Sequence, residues 1–274
     1  GIPASPGLAL GVAHVLANPR DLLRTHFPGP AESVDPGSEH KRLELGVASA
    51  LVELDDLAEQ VDAALGQQQA DIFRAHSLLL QDADIEQELH RCLDVNRLPL
   101  EAAIQETFLL MAQRYRERAG EIFQQRAADV EDVGRRLLRI VSGVGEESID
   151  LPGSAIVVAE DLSPSQTAAL DRSNLAGLCI AGGGPQSHTA ILARSMGIPA
   201  IVGLGPELQR SVVDGVQLAI DGAHGQVIVA PDSTTVTAYR HAQATLNEER
   251  TTAWRAAQRP SCTRDGLRVE VVAN

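Results

Sequence analysis

The segment "LAGLCIAGGGPQSHTAILARSMGIPAIVGL", Leu175 to Leu204, decides the fold. It opens with an apolar run, breaks at three consecutive glycines, resumes with helical spacing, stops at Gly197 and closes with a second apolar run. Apolar runs bounded by turn residues and separated by a short helix are the pattern of parallel strands buried on both faces. The same grammar precedes it. "SAIVVAEDLSPSQTAAL", Ser154 to Leu170, reads as strand, turn and helix, with Ser163 and Gln166 at capping-box spacing and Pro164 in the first turn. After it, "GVQLAIDGAHGQVIVA", Gly215 to Ala230, reads as two strands joined by a glycine-rich turn. The opening "GIPASPGLALGVAHVL", Gly1 to Leu16, reads as one short strand entering the same sheet.

Between these strands the period changes. Val47, Leu51, Leu54, Ala58, Val61 and Leu65 recur every three or four residues and form one apolar helical stripe. A second helix carries Ile72, Phe73, His76, Leu79 and Leu80, bends at Asp82, and restarts where Asp84 and Gln87 have capping-box spacing. "LPLE" at Leu98 opens a third helix, and Gly120 precedes a fourth with Val130, Val133, Leu137 and Leu138. Four long helices with short connections predict an antiparallel bundle. Beyond Pro231 a polar helix passes through Tyr239, Leu246 and Trp254, and "DGLRVEVVAN" starts a further strand. The expected organisation is an α/β domain from residues 1–30 and 143–230, an inserted bundle at 31–142, a linker helix at 231–260, and the beginning of another domain at 261–274.

Totals narrow the function classes. A net charge of −14 over 274 residues disfavours nucleic acid and anionic membrane as partners and favours a basic protein. Aromatic residues make up 3%, so packing rests on Leu, Val, Ile and Ala. Cys92, Cys179 and Cys262 are odd in number and far apart, which fits a reducing cytoplasm better than a disulfide framework or a metal site. No apolar run approaches the roughly 20 residues that span a bilayer. A chain that starts at Gly1 is expected to be processed, trimmed or cut from a longer polypeptide.

The chemistry concentrates at His188. Ser187 stands where a helix N-cap belongs and His188 at the first helical position, with Gly182, Gly183 and Gly184 just upstream. Free backbone N–H groups and the positive end of the helix dipole suit an anion there, and Gly183, Gly184 and Ser187 would cradle a phosphoryl group carried on the ring. A neutral imidazole can accept and donate such a group without a strong base beside it. Thr167, on the preceding helix, is a hydroxyl partner, and Ser187 another. Local spacing alone leaves a second reading, a histidine that caps or packs. A serine hydrolase is disfavoured, because adjacent helical residues diverge by about 100° and the glycines flanking a nucleophile elbow are missing.

"GGGPQSHTAILARSMGIPAIVG" resembles the phosphohistidine signature of the phosphoenolpyruvate-utilising enzymes. "ASPG" at Ala4, "DIFRAHSLLLQD" at Asp71 and "RAADVEDVGRRLL" at Arg126 resemble the enzyme I branch of the bacterial sugar phosphotransferase system, and these matches run along nearly the whole chain. The resemblance implies an α/β phosphohistidine (swivelling) domain with an inserted antiparallel helical bundle that binds the phosphocarrier HPr, followed by a barrel. It implies that His188 takes a phosphoryl group from phosphoenolpyruvate on Nε2 and passes it to a histidine of HPr, with Thr167 hydrogen-bonded to the imidazole. It also implies an HPr surface of His76, Leu79, Asp82, Ile85 and Arg126. From the residues themselves Leu79 and Ile85 read equally as core, Asp82 as a helix cap, His76 as a packed histidine, and Arg126 and Arg194 as structural ion pairs.

Two departures stand out. Gln67, Gln68 and Gln69 occupy a stretch that is commonly acidic in enzyme I, which weakens the match to a basic HPr and leaves room for an HPr-like carrier or one fused to the same polypeptide. The family's barrel, with its phosphoenolpyruvate-binding arginines and the carboxylates that hold Mg²⁺, lies outside these residues. The chain by itself is therefore expected to bind no metal, to be monomeric where the whole protein is a homodimer, and only to exchange phosphate with phosphorylated HPr. Rival readings are the swivelling domain of a pyruvate phosphate dikinase or phosphoenolpyruvate synthase, which the inserted bundle disfavours, and a non-catalytic HPr-binding regulator, which retention of His188 disfavours.

Overall fold

The computed structural model describes residues 1–16, 23, 25, 27, 35–144, 150–257, 261, 262, 268 and 269. The boundaries expected at residues 30–31, at the end of the linker helix, and across most of 261–274 fall outside them. Two strands come first, β1 (Ile2–Ser5) and β2 (Leu8–Val15). Helices α1 (Pro36–Leu65), α2 (Gln67–Leu80), α3 (Ala83–Asp94), α4 (Leu100–Arg116) and α5 (Glu121–Val141) follow. The chain then alternates through β3 (Ala155–Ala159), α6 (Pro164–Ala169), β4 (Leu175–Ile180), α7 (His188–Met196), β5 (Ala200–Val202) and α8 (Glu207–Ser211). The hairpin strands β6 (Gln217–Asp221) and β7 (Gln226–Val229), the long α9 (Ser233–Ala257) and the short pair β8 (Ser261–Cys262) and β9 (Arg268–Val269) complete it.

Seven strands form one mixed sheet in the order β1-β5-β4-β3-β2-β6-β7. The central four are parallel and the outer pairings antiparallel. The sheet curls. Gly222 N–H donates to the Gly7 carbonyl at 2.8 Å, and the Gly1 amino group to that of Gly225 at 3.0 Å, so β1 closes against the β6–β7 turn. A Cβ on Gly222 would stand 2.1 Å from the Ser5 carbonyl, which explains glycine there. Strand β3 is buried along its whole length: Ala155, Val157 and Ala159 join the core beneath α6 and α7, while Ile156 and Val158 join the opposite core with Leu208 of α8.

The bundle has its own core, centred on Phe73, Phe108, Leu54, Ile104, Leu137 and Leu138. Among the described residues five helices build it rather than the four expected. Gly66, at φ +97°, turns α1 back into α2. The break at Asp82 is a full helix boundary, because the Asp82 carboxylate accepts from the Asp84 and Ile85 amides at 2.9 and 3.4 Å. The N-cap is therefore Asp82, two residues before the expected one; an extended residue with a free side-chain acceptor starts the helix wherever it first occurs. The Gly1 to Leu16 segment likewise holds two strands, since Pro6 and Gly7 interrupt it and β1 finds its partner in β5. Along α1 the buried seam is Leu43, Gly46, Ala50, Leu54, Ala58 and Val61, with Val47, Leu51 and Leu65 only flanking it.

Helices α4 and α5 approach closely at Gly134, where a Cβ would lie 2.7 Å from the Phe108 ring. Phe108 is fully buried and cannot yield. Gly134→Val is expected to lower stability by about 1–3 kcal/mol, read as a lower urea midpoint with an unchanged slope.

Candidate active site

The site lies beyond the carboxyl ends of β3 and β4, where parallel sheets place their ligands. Two capped helix starts meet there. Ser163 and Gln166 form the expected capping box on α6, and the Ser187 hydroxyl accepts from the Ala190 amide at 3.3 Å on α7. The Thr189 hydroxyl, fully buried, donates to the Leu162 carbonyl at 3.0 Å and ties the two helices together.

The glycine loop is held by its backbone. Gly182 donates to Glu160 and accepts from Gly203, both at 2.8 Å. Gly183 has φ +72°, a conformation that side chains disfavour, and the Gly184 carbonyl accepts from the Ser187 amide at 3.0 Å. Arg194 proves structural: its guanidinium donates to the Ala4 carbonyl at 2.9 Å and to the Pro185 carbonyl at 3.1 Å, clamping the loop to β1. The glycines thus set the loop's shape around His188.

His188, whose side chain is 22% exposed, points across to the bundle, and its Nδ1 stands 3.4 Å from Asp129 Oδ1 on α5. The same carboxylate oxygen is 3.5 Å from Nε2 of His76 on α2. His76 Nδ1 in turn lies 3.7 Å from Asp132 Oδ2, and Asp132 accepts from the Ser165 hydroxyl of α6 at 2.9 Å. Arg136 of α5 closes the seam by donating to Ser165 at 2.9 Å and to Glu53 at 2.7 Å. Burial pushes the His188 imidazole below its ordinary range; the Asp129 carboxylate opposes this and the nearby His76 ring adds to it. The ring is therefore neutral near pH 7, with Asp129 favouring the proton on Nδ1 and leaving Nε2 with a free lone pair.

The expected residues meet different fates. Thr167 is fully buried beside the site, but its hydroxyl donates to the Ser163 carbonyl at 2.9 Å, so its single proton is committed to its own helix. The Asp129 carboxylate stands within ion-pair distance of the His188 ring. His76 is 1% exposed and Ile85 lies in the bundle core, so neither offers a partner a surface; the apolar stripe that carries them faces inward. Leu79 is half-buried against that core. Asp82 is exposed at the α3 cap, and Arg126 is exposed with its guanidinium 3.7 Å from Asp129. Gln69 spends its amide on the Ser195 hydroxyl of α7 at 2.9 Å, an interdomain contact, while Gln67 and Gln68 face solvent.

Sequence reading passed over Asp129 and Asp132. The available signal was acids at i and i+3 interleaved with Val130 and Val133 on an amphipathic helix. These two carboxylates do not suit Mg²⁺, which asks for an open octahedral set of oxygens; both are turned to imidazoles, and Asp132 also holds a hydroxyl. Metal-type ligands gather elsewhere in the bundle, at His40, His90 and Asp94 and at Glu88, Cys92 and Glu106. No helix among the described residues is long and apolar enough to cross a membrane.

A pH dependence follows. The unfolded chain takes up a proton at its ordinary value of about 6.5 before folded His188 does. This group therefore leaves stability unchanged above about pH 6.5 and removes it as pH falls to the depressed folded value. His188→Gln is expected to flatten that slope in urea unfolding, and Asp129→Asn to lower the His188 pKa further when its ring is titrated by NMR.

Comparison with known proteins identifies the family. Residues 1–126 match the family described as PEP-utilising enzyme, N-terminal, and residues 151–225 match PEP-utilising enzyme, mobile domain. The phosphoenolpyruvate-protein phosphotransferase of Geobacillus stearothermophilus is 34% identical over the whole of this chain and 46% of its own length, and that of Bacillus subtilis 32% over the whole of this chain and 47% of its own. The NMR solution structure of an Enzyme I protein superposes with a TM-score of 0.69 at 30% identity, covering 90% of this chain and 98% of that one. The chain spans about half the length of the curated relatives it matches. It belongs to the enzyme I family of phosphoenolpyruvate-utilising enzymes.

Proposed function

We propose that His188 is the phosphoryl carrier of a phosphotransferase, loaded from phosphoenolpyruvate by a barrel outside this chain and discharged onto a histidine of HPr or an HPr-like phosphocarrier. The observation that carries the reading is the pairing of His188 Nδ1 with Asp129 at 3.4 Å, at the capped start of α7. With Nδ1 protonated and turned to a carboxylate, Nε2 holds the lone pair. In loading, Nε2 attacks phosphorus, the bond from phosphorus to the enol oxygen breaks, and the released enolate takes up a proton to become pyruvate. In discharge, a ring nitrogen of the carrier attacks the same phosphorus and the P–N bond electrons return to Nε2. Asp129 faces the positive charge that grows on the ring while the phosphoryl group is attached.

Gly183, Gly184 and Ser187 shape the loop on the side where the phosphoryl group would sit, and Thr167 supports the helix beneath it. The carrier would approach past the exposed Asp82 and Arg126, beside Leu78, which is 71% exposed. Mg²⁺ and the dimer contacts would belong to the barrel, so this chain alone would run as a monomer in gel filtration. The setting would be cytoplasmic sugar transport.

Incubation with phospho-HPr is expected to yield one acid-labile, alkali-stable phosphoryl adduct by intact mass. Absence of that adduct, or its survival in His188→Ala, overturns the proposal. Asp129→Asn is expected to slow transfer by about tenfold, corresponding to about 1.4 kcal/mol, without abolishing it.

A further inference from the structure

His40, His90 and Asp94 form a group that phosphotransfer does not use. His40 lies just past the first turn of α1, while His90 and Asp94 are one turn apart on α3 and so project from one face of it. His40 Nε2 is 2.8 Å from Asp94 Oδ1, and the His40 and His90 rings are 4.6 Å apart between centroids. One donor atom from each of the three residues lies within 4.8 Å of the others. Glu86, a turn upstream of His90, brings a carboxylate oxygen to 4.0 Å from its Nε2. The side chains of His40, His90 and Asp94 are 25%, 47% and 50% exposed, which leaves an approach from solvent and room for water ligands.

We propose that His40, His90 and Asp94 bind a divalent transition-metal ion of the zinc type. Two imidazole nitrogens and one carboxylate oxygen match the ligand preference of Zn²⁺. Hard cations such as Mg²⁺ and Ca²⁺ prefer an all-oxygen set. Zn²⁺ takes nitrogen and oxygen at about 2.0–2.2 Å, which sets tetrahedral donors about 3.3–3.6 Å apart, so side-chain rotations would close the site by opening the His40–Asp94 contact and drawing His90 in. Binding replaces the contact between His40 and Asp94 and sets the ion between the two rings. The ion would brace the start of α1 against the end of α3.

Neighbouring groups sharpen the choice. His224 with Asp221 and His14 with Asp214 are two-residue pairs that gather no third donor among the described residues. In the second cluster, Glu88 is held by Arg91, and burial raises the Cys92 thiol, which disfavours the thiolate a metal needs. The site departs from the expectation that this chain binds no metal, and it is independent of the phosphotransfer reading.

The test is calorimetric titration of the tag-free, chelator-treated chain with ZnCl₂ at pH 7.5, with Co²⁺ absorption as a second readout. One saturable ion per chain is expected, weakened at least about tenfold by His40→Ala or His90→Ala and lost in the double variant. A zinc-dependent rise in melting temperature, reversed by EDTA, should disappear in the same double variant. Matching melting temperatures of variant and parent in EDTA show that the variant still folds. The proposal is overturned by the absence of a saturable site, or by one that the double variant retains.

Discussion

Two carboxylates on one face of α5, Asp129 and Asp132, constrain how the bundle and the sheet can meet. Both are almost fully buried, and a buried charge survives only when paired or hydrogen-bonded. The bundle supplies His76, which stands between them, together with Arg126 beside Asp129 and Arg135 beside Asp132. The rest come from the sheet domain: His188 faces Asp129, and Ser165 donates to Asp132. Undocking the bundle from α6 and α7 would expose this acid pair and strip it of His188 and Ser165. The seam that protects the charges also orients the His188 imidazole and favours one of its tautomers.

The connectivity makes α5 the natural bearer of that seam. Strands β2 and β3 are parallel neighbours, so the chain between them must cross over from one end of the sheet to the other. Five helices occupy the place of the usual single crossover helix. The last of them, α5, precedes β3 in the chain and meets the helices that follow β3 and β4 through Asp132 and Asp129. Arg136 and Arg139, both on α5, meet Glu53 of α1, which joins this face to the longest helix of the bundle.

Much of this was legible in local sequence because the interactions concerned are local. Ser163, Ser187 and Gly197 act within four residues of themselves, as caps and stops, and each does in the structure what its spacing predicts. His188 stood out because glycines, serine and histidine were crowded before a helix. Strand β1 escaped notice because its four residues include Pro3, and only pairing with the distant β5 holds them extended. In sequence Asp82 reads both as a bend and as a helix cap, because Asp84 offers a competing cap, and the structure settles it as the cap of α3.

The sequence by itself determined the alternation of strands and helices, the inserted bundle, and the single histidine on which a phosphotransfer reading rests, since periodicity and capping are written into neighbouring residues. Tertiary structure alone decided which polar groups face that histidine. Asp129 and His76 are separated from His188 by tens of residues, and in sequence a buried acid looks the same as a solvated one. It also turned His76 and Ile85 inward and spent Thr167 on its own helix, because burial and hydrogen-bond direction depend on what packs against a side chain, and that is set by the whole fold.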